Sequence, residues 1–309
     1  VPIAYISHPD CLLHDVGQDH PEQPGRLRAI QDLLISTGME FALRQYEAPR
    51  ATRAQLELAH DPDYVSMLFS DAPHEGILEL DGDTFMMPKT LDAALRAAGA
   101  VVQGVDLVMQ GEVASAFCAV RPPGHHAERD RAMGFCYFNN VAIGAAHALA
   151  GHGLERVAII DFDVHHGNGT EHIFEREPRV LFCSSFQHPF YPFTGHETET
   201  DHIVNITLPA GTDGEGFRRE VERHWLPALH HFQPQLVMIS AGFDAHISDE
   251  MSHLRLREAD YDWVTSLLKE EVADRYAGGR IVSTLEGGYD HGALARSVMA
   301  HLDALLGHR

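Results

Sequence analysis

VAIIDFDVHHGNG, residues 157–169, is the stretch that decides the fold. Four apolar residues run without alternation, and the chain then passes directly into acids, imidazoles and glycines. A continuous apolar run predicts a strand covered on both faces, as in parallel sheets. The polar residues after it then sit at the carboxyl end of the strand, where open α/β sheets bind ligands. Along an extended strand Asp161, Asp163 and His165 point the same way. Two carboxylates and an imidazole on one face make a ligand set for a divalent metal. A plainer reading makes them hydrogen-bonding groups that cap neighbouring helices.

The same pattern repeats in both directions from this stretch. Strands are expected at Ile3–Ile6, Ser115–Val120, Val157–Phe162, Val180–Ser184, Leu236–Ser240 and Ile281–Leu285. Helices are expected near Arg26–Ser36, Thr90–Gln110, Asn140–Ala150, Glu215–His231, Glu258–Tyr276 and Leu294–Leu306. This alternation predicts a three-layer α/β/α fold with a mostly parallel central sheet. No linker, charge block or repeat interrupts it, so residues 1–309 read as one domain. RPPGHH follows one strand, AGFDAH another and EGGYD a third. Four strand ends thus deliver metal-binding or acid–base groups to one edge.

Bulk properties narrow the function. The chain is 44% hydrophobic and 22% charged, as in an ordinary globular enzyme. Lys+Arg 23 against Asp+Glu 45 gives a formal net charge of −22. That argues against nucleic acid as a partner, which calls for basic stripes. It suits cationic substrates such as lysine-rich tails or polyamines, or simply keeps the protein dissolved. Cys11, Cys118, Cys136 and Cys183 form no CxxC pair, which predicts reduced, buried thiols and a cytoplasmic setting. The first residues carry no signal-peptide pattern, and no apolar run reaches the roughly 18 residues of a membrane span. The sequence is silent on oligomeric state.

His125-His126 follows Arg121-Pro122-Pro123-Gly124, a turn that would hold both rings rigidly. Among 23 histidines an adjacent pair is weak evidence alone, and gains weight from its place at a strand end. Asp244, also after an apolar strand, is a plausible further ligand. Three protein ligands with an open position is the catalytic pattern for zinc.

The runs RPPGHHAE, GFCYFNN, DFDVHHGNGT, AGFDAH and LEGGYD resemble the histone deacetylase superfamily. The early HPEQPGRL is similar to the start of its class II-like, bacterial-type members, a group that includes acetylpolyamine amidohydrolases. The motifs stand in family order from residue 20 to 290. The resemblance implies the arginase–deacetylase fold, with about eight strands, and zinc-dependent hydrolysis of an acyl-amide. It implies Asp163, His165 and Asp244 as zinc ligands, and His126 as general base and acid with His125 beside it. It implies that Asp161 orients His125, that Asn168 partners His126, and that Tyr289 donates to the oxyanion. Gly134, Phe135 and Tyr191 would line a tunnel, with Met251 at its rim. A structural potassium ion is implied as well, held by backbone oxygens around Asp161, Asp163 and His165 and by the Ser184–Ser185 strand end.

Two departures bear on activity. Asn168 stands where many class I members have aspartate, and a neutral amide stabilises an imidazolium less than a carboxylate does. Tyr289 stands where some class II members have histidine and barely hydrolyse acetyl-lysine, so deacetylase activity is expected here. Glu250 reads as an acidic gatekeeper for polyamines or, more plainly, as a solvated loop carboxylate, since ungapped counting puts Met251 at the gatekeeper position. Arg26 would close an inner cavity or cap the first helix. The expected substrate is an acylated lysine side chain, with small acetylated amines as the alternative. A catalytically weak acyl-lysine binder and a two-manganese arginase-like enzyme fit His126 and Tyr289 less well.

Overall fold

The structure, a computed structural model, describes residues 2–198 and 200–307. Among the described residues ten strands form: β1 (Ile3–Ser7), β2 (Leu43–Glu47), β3 (Leu78–Asp81), β4 (Thr84–Met86), β5 (Ser115–Cys118), β6 (Val157–Asp161), β7 (Val180–Gln187), β8 (Ile203–Leu208), β9 (Leu236–Ala241) and β10 (Ile281–Leu285). The helices are α1 (Gly25–Thr37), α2 (Arg53–Leu56), α3 (Pro62–Asp71), α4 (Thr90–Met109), α5 (Asn140–His152), α6 (Asn168–Phe174), α7 (Gly214–Phe232), α8 (Glu258–Leu267), α9 (Asp274–Tyr276) and α10 (His291–Leu306). A π-type turn, Leu268–Ala273, joins α8 to α9, where the sequence reads as one helix.

Eight strands make one sheet in the order β2-β1-β5-β10-β9-β6-β7-β8, and every pairing in it is parallel. This is the three-layer arrangement expected from the alternation. The middle strands β5, β6, β9 and β10 are buried along their whole length, which is why their sequences are mostly apolar and do not alternate with charged residues. The helices cover both faces and need close approaches to do so. At Gly99 of α4 a Cβ would lie 2.0 Å from the Pro49 carbonyl oxygen, so only glycine lets helix and loop meet there.

Sheet order is what assembles the site. β5, β10, β9 and β6 are consecutive neighbours in the sheet. Their carboxyl ends therefore bring RPPGHH, EGGYD, AGFDAH and DFDVHH side by side, although these segments are separated by up to 168 residues of sequence (from Arg121 to Tyr289).

Candidate active site

The segment after β6 does not extend the strand. β6 stops at Asp161, and the chain bends so that each carboxylate binds the backbone just ahead of it. Asp161 Oδ1 accepts from the Asp163 amide at 3.1 Å, and Asp163 Oδ1 from the His165 amide at 2.9 Å. Strand alternation was therefore the wrong reason to group Asp161 with Asp163 and His165. Asp161 turns to His125, whose Nδ1 lies 2.9 Å from Asp161 Oδ2.

Asp163 and His165 are joined instead by Asp244, and the ligand atoms of these three buried residues lie within 4.8 Å of one another. His165 Nδ1 is 3.0 Å from Asp163 Oδ1 and 3.2 Å from Asp244 Oδ2. Burial opposes a charge on His165, but the Asp163 carboxylate bonded to it and the Asp244 carboxylate close by overcome that and push the ring up to about 10. Burial together with the Asp163 charge raises Asp244 to about 7.

The cluster fits a cation. Asp244 Oδ2 is a buried carboxylate oxygen with no hydrogen-bond donor, an arrangement that costs free energy unless something positive faces it. Space is kept for it by glycines: a Cβ on Gly242 would lie 2.0 Å from Asp163 Oδ2, and one on Gly287 2.1 Å from Asp244 Oδ2. Two carboxylates and one imidazole are a donor set that zinc accepts.

The histidine pair is fixed from beneath by a residue that the motif reading did not single out. Glu286, the first residue after β10, accepts from the backbone amides of Gly124 (2.7 Å) and His125 (3.1 Å), and from Ser240 Oγ (3.0 Å). Gly124 packs so tightly that a Cβ would meet the Asn140 amide nitrogen at 2.4 Å. The two rings then sit 4.0 Å apart, centroid to centroid. Burial opposes a charge on His125, but the Asp161 and Asp163 carboxylates hold it well above the ordinary histidine range. His126 goes the other way: burial, and then the positive charges of His125 and His165, hold it well below that range.

The tautomer of His126 follows from its neighbours. Its Nδ1 lies 2.8 Å from Asn168 Oδ1, while Asn168 Nδ2 donates to Glu128 Oε1 at 2.8 Å. The amide oxygen is therefore the atom turned to the ring, Nδ1 carries the proton, and Nε2 keeps its lone pair. Glu128, the acid of RPPGHHAE, is the residue that orients this amide.

A pocket of about 410 Å³ opens over these groups. It is lined by His126, His165, Tyr289, Gly134, Phe135, Phe190, Tyr191 and Met251, with Asp83 and Glu250 at its border. Phe135 and Tyr289 meet edge-to-face at 6.1 Å, and Tyr191 meets His126 at 5.3 Å. Phe190, a loop-packing aromatic in the plain reading of the sequence, stacks on His165 at 5.4 Å. Exposed Glu250 borders the pocket together with Met251, so neither alone occupies the rim.

Behind Tyr289 lies a buried charged network. Arg26 donates to the carbonyls of Gly288 and Glu286 and lies 4.9 Å from the Tyr289 ring centroid. Arg26 and Arg121 share the carboxylate of Glu22, and all three are fully buried. Arg26 thus props the tyrosine rather than capping α1. Asp249 holds the same segment from the other side, accepting from the amides of Tyr289 (2.6 Å) and Met251 (3.0 Å). Ser184 and Ser185 lie on β7, where Ser184 is in register with Asp161 and its hydroxyl is 3.0 Å from His166 Nδ1.

Comparison with known proteins agrees with this geometry. A profile of the histone deacetylase domain matches residues 20–305. A "Probable deacetylase" of Archaeoglobus fulgidus is 36% identical over 98% of this chain and 86% of its own length. The human "Polyamine deacetylase HDAC10" is 37% identical over 98% of this chain, which spans 48% of that longer protein. Among solved structures, the HDA15 HD domain superposes with a TM-score of 0.92 at 33% identity, covering 99% of this chain and 90% of the other. The chain belongs to the histone deacetylase family.

Proposed function

We propose that the protein is a zinc-dependent deacetylase that removes acetyl or other acyl groups from the ε-amino group of lysine in proteins or peptides. The observation that carries this reading is the convergence, within one pocket, of a cation-ready ligand group, a neutral imidazole base and a phenol. Asp163, His165 and Asp244 would hold the zinc ion. Once bound, it supplies Lewis-acid polarisation of the acyl carbonyl and makes water a competent nucleophile near neutral pH.

The remaining chemistry is done by side chains. His126, with Nδ1 committed to Asn168, presents Nε2 to take the proton of the attacking water. The same nitrogen returns it to the amine, which would otherwise leave as a very poor anion. Charged His125, tied to Asp161, keeps its neighbour neutral until that proton arrives. Tyr289 aims a phenolic O–H at the carbonyl oxygen as it becomes an oxyanion. Burial raises the tyrosine well above its ordinary range, so it stays a donor. The aromatic walls Phe135, Phe190 and Tyr191 suit the apolar methylene stem of a lysine-like chain.

A potassium ion at Asp161, Asp163, His165, Ser184 and Ser185 is part of the proposal. The donor set there is rich in oxygen: the buried Asp161 carboxylate and Ser184 hydroxyl share one register of adjacent strands. A second substrate class, small acetylated amines, is favoured by Asp83 and Glu250 at the pocket border, which would attract a distant ammonium. One panel separates the readings: zinc-loaded protein assayed on acetyl-lysine peptides, longer acyl-lysine peptides and N-acetylpolyamines, with and without chelator. Preference for the peptides, lost on chelation, is expected. Preference for polyamines would transfer the assignment to the second class, and activity that survives complete metal removal would refute the mechanism.

A further inference from the structure

Away from the pocket, where α4 and α5 end ahead of β5 and β6, a second set of ligand atoms converges. Asp106 lies on α4 one turn before its end, and His147 and His152 lie on the last turns of α5. His147 Nε2 is 2.8 Å and His152 Nε2 2.7 Å from the same atom, Asp106 Oδ1. All three ligand atoms lie within 4.8 Å of one another. The side chains are 18%, 21% and 38% exposed (His147, His152, Asp106), so the cluster is half-sunk with one open side.

The surroundings hold this arrangement in place. Gly151, one turn after His147 on α5, leaves the space that its ring needs, since a Cβ there would lie 3.2 Å from His147 Cε1. Gly153, in the left-handed region at φ 66°, ends α5 directly after His152. α4 and α5 are packed against each other through the core, so the three residues are mounted on rigid elements.

Both imidazoles present the same nitrogen, Nε2, to one carboxylate oxygen. That convergence is what tetrahedral coordination uses. With metal–ligand bonds of about 2.0–2.1 Å, donor atoms sit about 3.3 Å apart, so the present contacts need to open by only about half an ångström. Two imidazoles and one carboxylate suit zinc and its later first-row neighbours, whereas magnesium and calcium prefer all-oxygen sets. We propose that Asp106, His147 and His152 form a second metal site, for a zinc-class divalent ion with water in the open position, that clasps α4 to α5.

The site lies toward the C-terminal end of α5, a helix about 20 Å long whose N-terminal end faces the catalytic histidines. The two ends are mechanically linked, because the α5 cap Asn139 donates to the carbonyl oxygens of His125 and Ala127. The ion would thus brace the helix on which the histidine loop rests, without touching substrate.

The test is equilibrium dialysis of the full chain against micromolar zinc, followed by counting metal per chain. It compares the native protein with the His147→Gln/His152→Gln double variant, and thermal unfolding is recorded with and without zinc. Two equivalents in the native protein are expected, against one in the variant, with deacetylase activity retained in both. Occupation of the second equivalent raises the unfolding midpoint of the native protein alone. Equal counts in the two proteins, or a single equivalent in the native one, would overturn the proposal. Asp106→Asn, which removes charge without changing shape, gives the same reading if the double variant folds poorly. Asp244→Asn removes the other equivalent, so failure of the catalytic site and failure of this one are told apart.

Discussion

At the scale of single residues, the informative pair is His125 and His126, two adjacent imidazoles in opposite charge states. His125 is held charged by the Asp161 and Asp163 carboxylates, whereas His126 is buried beside that charge with only an amide oxygen, Asn168, at its Nδ1. Replacing Asn168 by Asp puts a second carboxylate against Glu128 and a negative charge beside the His126 ring. That charge favours the imidazolium and raises the pKa of the ring. Catalysis begins from the neutral ring, so the acidic limb of the kcat/KM profile should move to higher pH in Asn168→Asp; an unmoved limb would detach Asn168 from the proton transfer. Tyr289→Phe removes one oxyanion donor and nothing from the apolar wall. Turnover should fall about 100-fold with KM little changed. Native-like turnover would take Tyr289 out of the mechanism. These residues were legible in the sequence because each sits in a motif directly after an apolar strand. Glu286, Asp249 and Glu22 were not, since a carboxylate that accepts backbone amides, a buried hydroxyl or buried guanidinium groups has no spacing signature. Glu286 is the clearest case: it stands inside LEGGYD, next to the tyrosine that was singled out, yet its role depends on Gly124, 162 residues away.

At the scale of elements, what the sequence hid was strands with a solvated side. Leu43–Glu47 and Ile203–Leu208 are the two edges of the sheet, and their exposed positions break the apolar run by which the inner strands were found. The hairpin β3–β4 was missed as well, although the Asp81-Gly82 pair in LELDGDTFM is a turn signal. This hairpin matters for the site. Asp83 Oδ1 accepts from the Gly134 amide at 3.0 Å, Thr84 Oγ1 from the Phe135 amide at 3.0 Å, and the Tyr137 hydroxyl donates to the Phe85 carbonyl. The bonds hold Gly134 and Phe135 at positive φ, 57° and 67°, a conformation that is costly for phenylalanine without such support. Thr84 is fully buried, so Thr84→Val keeps its shape while leaving the Phe135 N–H without an acceptor. A loss of about 1–3 kcal/mol in unfolding free energy is expected, measured by denaturant titration. Because the tunnel wall loosens while His126 and Tyr289 stay in place, KM for an acetyl-lysine peptide should rise more than kcat falls. Unchanged kinetics would mean that the hairpin only covers the core.

At the scale of the whole molecule, the formal charge of −22 and the position of the pocket act together. Asp83 and Glu250 border the mouth, and Asp81 is exposed on the adjoining hairpin, so the field over the entrance has the same sign as the field of the chain. A cationic substrate approaching such a surface is concentrated at the entrance, and salt weakens that attraction as the screening length shrinks. Buried charges inside the site are screened far less, so the chemical step itself should be almost insensitive to salt. The two contributions separate with paired acetyl-lysine peptides of equal length, one flanked by arginines and one by glutamines. Raising the salt from about 0.01 M to about 0.3 M takes the screening length from about 30 Å to below 8 Å. The kcat/KM of the cationic peptide should then drop several-fold, that of the neutral peptide should stay within about twofold, and kcat should hold for both. An identical salt response for the two peptides would confine the acidity of the surface to solubility and leave substrate choice to the pocket alone.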